Sequence, residues 1–268
     1  AITTGGYNTA IGGKSLQSNT TGRNVGVGYE ALQANTDGML NTAIGDNALY
    51  TNVSGNYNVG VGYGALDSTT VSDNTAVGYL AGDDATTASG SVFLGRSAGG
   101  TVTTGNQNIA IGSGSMDGAA TTGDNNIAIG TSAGDALTSG RENIFMGSDA
   151  GGAVSSGLLN IGIGRNALKA TTTGNGIVAV GHDAISVGDP DSDTVAFGNG
   201  ALMNAAAGSL RNTALGHQAG SDHTTGDDTV YVGTNAGMQN RSGNNNTYVG
   251  SQAGEGVDNN SNHENVSV

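Results

Sequence analysis

The chain has 268 residues with 49 glycines, one proline, no tryptophan, no cysteine and only 4% aromatic residues, a composition that excludes a thick globular core, disulfides and thiolate metal sites. Eight Lys and Arg against 22 Asp and Glu leave a net charge of −14, with the acids scattered over turns, which argues against nucleic-acid phosphates as a partner. No apolar run reaches the ~18 residues of a membrane span, so membrane insertion is not expected.

Taken in chain order, the predicted elements are fifteen short strands, each ending on an apolar residue followed by Gly. The apolar residues are Ile11, Val27, Ile44, Val61, Val77, Leu94, Ile111, Ile129, Met146, Ile163, Val180, Phe197, Leu215, Val232 and Val249. The glycines return at intervals of 16 to 18 residues, mostly 17. A fixed period of this length predicts an all-β parallel solenoid, or β-roll, of about fifteen 17-residue coils spanning residues 1–268 as a single repeat domain. Disorder is rejected, because a disordered chain has no reason to keep an apolar residue in fifteen of fifteen copies.

Two residues before each of these apolar residues stands Thr, Val or Ile, as at Thr9, Val25, Thr42 and Ile109, so two β-formers share one side of an alternating segment. They are expected to form the structural core of the repeat. Between them lies Ala or Gly in eleven copies, and Phe93, Phe145, Tyr231 or Tyr248 in the rest. That opposite face is mostly flat, which predicts a surface on which something packs closely. Asn precedes the strand in eleven copies, including Asn8, Asn24, Asn41 and Asn58, and stacked amides are expected to bond up and down a ladder. Ala, or Ser15 and Ser115, stands three residues after the glycine, followed by Gly or a larger apolar residue such as Leu16, Leu49, Met116 or Leu202. A turn such as Thr103-Thr104-Gly105 or Thr172-Thr173-Gly174 closes the coil. Each coil therefore reads as strand, tight bend, short strand, turn.

Burying two aliphatics, an alanine and sometimes a leucine per coil falls short of the entropy of ordering 17 residues, so a second source of burial is expected. The simplest source is oligomerisation through the flat small-residue face, with three chains side by side about a common axis. A left-handed hexapeptide β-helix has a coil of similar length, but the third side lacks its aliphatic residue here.

The segments Asn41-Thr42-Ala43-Ile44-Gly45-Asp46-Asn47-Ala48-Leu49, Asn108-Ile109-Ala110-Ile111-Gly112 and Asn126-Ile127-Ala128-Ile129-Gly130 resemble the head repeats of YadA-like trimeric autotransporter adhesins. They are also similar to repeats in the shafts of phage tail fibres that end in an intramolecular chaperone domain. The resemblance implies a homotrimer of left-handed parallel β-rolls, extracellular on a bacterial surface or on a virion tail fibre, acting in attachment. The adhesin repeat is usually shorter, which implies a longer turn here. The family's receptor residues do not belong to the repeat motif and are not carried over.

Thr3-Thr4-Gly5 stands where an earlier coil's turn is due, and Asn265-Val266-Ser267-Val268 stops where the next glycine is due. Solenoids need caps over their open edges, and neither end supplies one, so an internal segment of a longer fibre is expected.

Motifs that suggest chemistry are absorbed by the repeat. Gly95-Arg96-Ser97-Ala98-Gly99 and Gly130-Thr131-Ser132-Ala133-Gly134 match G-x-S-x-G, but the nucleophile elbow needs a strand-to-helix turn and a His partner, and other copies place Asn47, Gln218 or Asn235 at the serine position. Gly60-Val61-Gly62-Tyr63-Gly64 resembles a phosphate-binding loop only in its glycines. His182, His217, His223 and His263 are too dispersed for a ligand set, and His182 and His217 share a repeat position expected to be exposed. Asp83-Asp84, Asp189-Pro190-Asp191 and Asp227-Asp228 lack the Gly-Gly-Asp spacing of calcium-binding repeats. No cofactor and no enzymatic activity are expected.

The expected function is a non-enzymatic trimeric attachment fibre whose partners are its own copies and a host-surface receptor, glycan or protein. Recognition is expected in irregular coils, at Ser68 to Asp73, His182 to Asp193 and Ala205 to Arg211. A structural extracellular filament or sheath component is the alternative. Ice binding ranks last, because the position shared by Thr9, Thr42, Thr75, Thr213 and Thr247 carries Val or Ile in ten of fifteen copies and its face reads as buried.

Overall fold

The fold was read from a computed structural model, which describes residues 5–256 and 266–268. Thr3, Thr4, His263 and Asn265 lie outside the described residues. The chain divides into two compact units, Ala1–Ser132 and Ala133–Val268.

In the first unit the strands are β1 (Thr9–Ile11), β2 (Val25–Val27), β3 (Thr42–Ile44), β4 (Val59–Val61), β5 (Thr75–Val77), β6 (Val92–Leu94), β7 (Ile109–Ile111) and β8 (Ile127–Ile129). The second holds β9 (Ile144–Met146), β10 (Ile161–Ile163), β11 (Val178–Val180), β12 (Val195–Phe197), β13 (Thr213–Leu215), β14 (Val230–Val232), β15 (Thr247–Val249) and β16 (Val266–Ser267). Each of the fifteen predicted strands is present, and each is the three residues before its repeat glycine. Within each unit neighbouring strands pair in parallel with like positions opposed, as Thr42↔Val59, Ala43↔Gly60 and Ile44↔Val61. Among the described residues there is no helix, so the architecture is that of a parallel β-solenoid.

The predicted second short strand is replaced by a bend in which Asn47 (φ 59°) and Leu49 (φ 54°) take left-handed backbone conformations. The ladder continues through it without extended backbone. The Asn47 N–H donates to Tyr29 O in the preceding coil at 2.9 Å, and the Leu49 N–H to Ala65 O in the following coil at 3.0 Å. Backbone polar groups are thereby satisfied even where the chain must turn to close a small coil.

The repeat glycine is required at this turn. Gly45 has φ 134°, and a Cβ there would stand 2.3 Å from the carbonyl oxygen of Gly62 in the next coil. Successive glycines lie backbone on backbone, which sets how closely the coils stack.

The expected core is inverted. Side chains alternate along each strand, and the central residue points inward: Ala43, Ala76, Phe93, Ala110, Phe145 and Tyr231 are fully buried. None of the fifteen apolar residues before the repeat glycine is buried in the single chain; Ile11 is 60%, Ile44 41%, Leu94 45% and Phe197 54% exposed. The flat face expected to receive a neighbouring copy is therefore sealed inside the coil, against the buried Ala48 and Leu49 column. The reason is volume. A Cβ on Gly26 would already lie 2.5 Å from Ser15 Oγ and 3.2 Å from Leu16 Cγ, so beside Ser15 and Leu16 the interior has no room for a further methyl, still less for paired β-branched side chains.

Buried asparagines complete the interior. Asn41 Oδ1 accepts from the Asn58 N–H at 2.9 Å, and Asn41 Nδ2 donates to Gly55 O at 2.7 Å. The predicted ladder exists, but in this column it runs mainly from side chain to backbone. A second column, Asn19, Asn35 and Asn52, bonds amide to amide at 2.7 and 3.1 Å. From Asn24 and Asn19 onward these asparagines are fully buried, and together they hold turn carbonyls that the strand ladder does not reach.

Candidate functional site

The inversion places the aliphatic side chains on the outside. In the first unit, Ile44, Val61, Val77, Leu94 and Ile111 follow one another in register, and Val59, Thr75, Val92 and Ile109 form a parallel row beside them. The second unit repeats the arrangement through Ile163, Val180, Phe197, Leu215 and Val232. Each unit thus carries a stripe two side chains wide that is apolar apart from a few threonine hydroxyls. A run of aliphatics of this length on an outer face is characteristic of an interface. The position shared by Thr9, Thr42 and Thr75 lies on this same outer side, contrary to the expectation that it is buried. Valine and isoleucine still interrupt the threonines.

Ser97 (φ 52°) and Ser132 (φ 52°) sit in the bend, with their N–H groups bonded to Tyr79 O and Ser113 O of the preceding coil. No strand-to-helix turn exists among the described residues.

His217 is exposed, and His182 is partly exposed, with Nε2 against Arg165 and Nδ1 3.0 Å from Asp183. His223 is different: it stands seven residues after its repeat glycine, the position of the buried Asn19, Asn35 and Asn52, and its burial was not anticipated. Fully buried, it donates from Nε2 to Gly226 O at 3.2 Å and accepts at Nδ1 from the Tyr231 hydroxyl at 2.9 Å. Burial lowers its pKa from the usual histidine value, against the opposing pull of the Gly226 carbonyl and Asp227. Desolvation also pushes the Tyr231 phenol up, so both groups are neutral at pH 7.

The acidic turns serve the ladder. Asp189 accepts from the N–H and hydroxyl of Thr172, Asp191 from the Gly208 N–H, Asp227 from the Leu210 N–H, and Asp228 forms a bidentate pair with Arg211 at 2.7 and 2.9 Å. Asp227 stands in for Asn56, Ser72 and Asn106, which accept the equivalent N–H in other coils. Asp83 is half-buried, and burial first, then Asp67, Asp84 and Asp117, pushes its pKa up to about 6. Among the described residues no group of three or more His, Cys, Asp or Glu could hold a metal ion.

The irregular segments do not leave the coil. Ser68 and Thr70 donate to Asp83 O and Thr86 O, Val187 to Met203 O, and Ala206 to Thr224 O, so each remains in the inter-coil ladder. A hollow of about 390 Å³ opens beside the third segment, lined by Gly208, Thr225, Gly226, Asp227, Ser242, Gly243 and Asn244. Among the described residues no helix is long and apolar enough to cross a membrane.

No protein-family model, no curated protein and no solved structure matches this chain.

Proposed function

We propose that this chain forms part of an extracellular attachment fibre, on a bacterial surface or a virion tail, in which three copies with left-handed coils pack side by side. The observation that carries this reading is the outward aliphatic stripe. An isolated chain would leave Ile44, Leu94, Met146 and Phe197 in water at 40% exposure or more. Packing like faces about a shared axis removes that surface from water, and closed rotational symmetry makes the contact self-limiting. The resemblance to adhesin head and tail-fibre repeats favours the same arrangement.

The fibre's role in this reading is mechanical and adhesive. Ladder bonds repeat at every coil, so the scaffold is stiff and holds exposed side chains at fixed spacing for a receptor on a host surface. No step of chemistry is assigned to it.

The test is the mass of the purified chain in native buffer by light scattering, together with retention of the labelled chain on bacterial and animal cells. A mass of three chains with retention on one cell class is expected. A monomer overturns the packing, and a trimer retained on no surface overturns attachment in favour of a structural filament.

A further inference from the structure

One corner of the first unit differs from the rest of the coil surface. Five residues before the repeat glycine stand Tyr7, Arg23, Leu40 and Tyr57 in successive coils, all with left-handed backbone (φ 62°, 66°, 60° and 58°) and all exposed. With Met39 and the glycines behind them they line an open groove of about 350 Å³. Tyr7 is 90% and Tyr57 58% exposed. Three coil steps of about 4.8 Å separate these two tyrosines along the stack, so the rings bracket a length of about 14 Å.

The corner is held before any ligand arrives. The Arg23 N–H donates to Gly6 O at 3.1 Å, and the Tyr57 N–H to Met39 O at 3.2 Å. The Arg23 guanidinium makes no ion pair among the described residues, whereas Lys14 and Arg211 are each bonded to a carboxylate in an adjacent coil. No acidic side chain lines the groove. Preorganised aromatic surface with one aimed charge is the composition of a small-ligand site.

We propose that this groove binds an oligosaccharide ending in a carboxylate sugar, with the carboxylate on Arg23 and the apolar ring faces of the sugars against Tyr7 and Tyr57. This rests on the attachment reading and names its ligand class. Charge decides the class. The whole chain carries −14, so it repels anions broadly and accepts one only where a cation is presented. A nucleic acid or a polysulfated chain needs several cations in a row, and the groove has one. A planar guanidinium pairs with a single carboxylate in two hydrogen bonds, which suits the end of an acidic glycan. Tyrosine offers the sugar an apolar face and a hydroxyl at little entropic cost. A second copy of the chain has its own surface in the aliphatic stripe, which lies on the strand and not at this corner.

The experiment is an oligosaccharide array bearing terminal sialic, glucuronic and galacturonic residues beside their neutral or carboxyl-reduced counterparts, followed by calorimetric titration of the best hit. Binding of a carboxylate form at least tenfold tighter than its neutral counterpart is expected, with a loss of tenfold or more in Arg23→Gln and in Tyr57→Ala. Gly6→Leu is the control for folding. A Cβ on Gly6 meets nothing within 4 Å, so this change fills the groove without disturbing the coil. It is expected to abolish binding with melting temperature and mass unchanged.

If no acidic sugar binds while the labelled chain still adheres to cells, the groove proposal falls and the attachment reading stands. If acidic sugars bind but no cell retains the chain, attachment falls and the site stands. Binding by Arg23→Gln and Gly6→Leu as tight as by the unaltered chain overturns the site. A fall in oligomer mass in Tyr57→Ala without sugar binding assigns the groove to a seam between copies and overturns it as well.

Discussion

The ring of Phe93 occupies the volume that a side chain on Gly99 would need: a Cβ there would lie 2.1 Å from the ring's Cδ1. The same ring reaches the preceding coil, where a Cβ on Gly82 would lie 2.5 Å from Cδ2. Tyr231 stands in the same relation to Gly237 and Gly220, Phe145 to Gly151, and Tyr248 to Gly254. Glycine occupies the position four after the repeat glycine at 82, 99, 134, 151, 220, 237 and 254, and every one of these coils carries or precedes an inward aromatic ring. In the remaining coils Leu, Met or Ile fills that position and the strand centre is Ala or Gly. Interior volume is conserved while its source moves between two points of the coil.

The pairing predicts compensation. Phe93→Ala is expected to cost about 3–5 kcal/mol through the cavity it leaves, and Gly99→Leu to be destabilising through overpacking by about 1–3 kcal/mol. The triple variant Phe93→Ala, Gly82→Leu, Gly99→Leu recreates the Leu-filled coils and is expected to recover most of the loss. Chemical denaturation of all four proteins measures it, and simple addition of the separate losses would refute the pairing.

Neighbouring strand positions are expected to respond in opposite ways to charge. Ala43 is fully buried and Ile44 is 41% exposed. Ala43→Asp strands a carboxylate among apolar atoms and is expected to unfold the coil. Ile44→Asp is expected to leave the chain's circular dichroism unchanged and to dissociate the oligomer, as read by light scattering. Unfolding by both, or by Ile44→Asp alone, would contradict the inverted core.

Asp83 provides a pH test in the first unit. Its pKa is about 6 when folded against an ordinary 3.8, so the folded state holds the proton more tightly and stability falls as pH rises through that window. Above it, the ionised group is a standing penalty of about 1 kcal/mol once solvent screening of a half-exposed carboxylate is allowed for. Asp83→Asn is therefore expected to raise stability at pH 7 and to leave it nearly unchanged at pH 4, as measured by denaturant midpoints.

His223 gives the opposite slope in the second unit. Its pKa is lowered from 6.5 by burial, so the unfolded chain takes up a proton that the folded one refuses. Stability contributed by neutral His223 is full above pH 6.5 and declines as pH falls below it. Amide protection factors over residues 220–240, taken against the intrinsic exchange rate at each pH, are expected to fall in that range. His223→Phe alone leaves the Tyr231 hydroxyl buried without its partner, at a cost of about 1–3 kcal/mol. The double change His223→Phe, Tyr231→Phe removes both polar ends, and the protection factors should then lose their acid dependence.

The period determined the coils. A glycine every 16 to 18 residues after an alternating triplet is enough to locate fifteen strands, because a parallel ladder repeats the same local requirement at every step. The positions of the buried Asn41 and Ala48 columns follow from the same alignment. The direction in which each triplet faces was not readable from it. Alternation says that Ala43 and Ile44 point to opposite sides, and hydrophobicity alone turns the isoleucine inward. Only the closed coil shows that a 17-residue turn, already filled by Leu49 and Asn41, has no room for it. The groove was legible in principle, since Tyr7, Arg23, Leu40 and Tyr57 share one place in the repeat, but nothing local distinguishes an outward corner from any other polar turn. His223 was legible only by register: it stands seven residues after its repeat glycine, as the buried Asn19, Asn35 and Asn52 do, and bonds the carbonyl three residues on as Asn52 does, but a histidine there does not announce its burial from type alone. Local spacing determines where a chain turns, whereas the volume left inside after it has turned decides which side chains are kept from water.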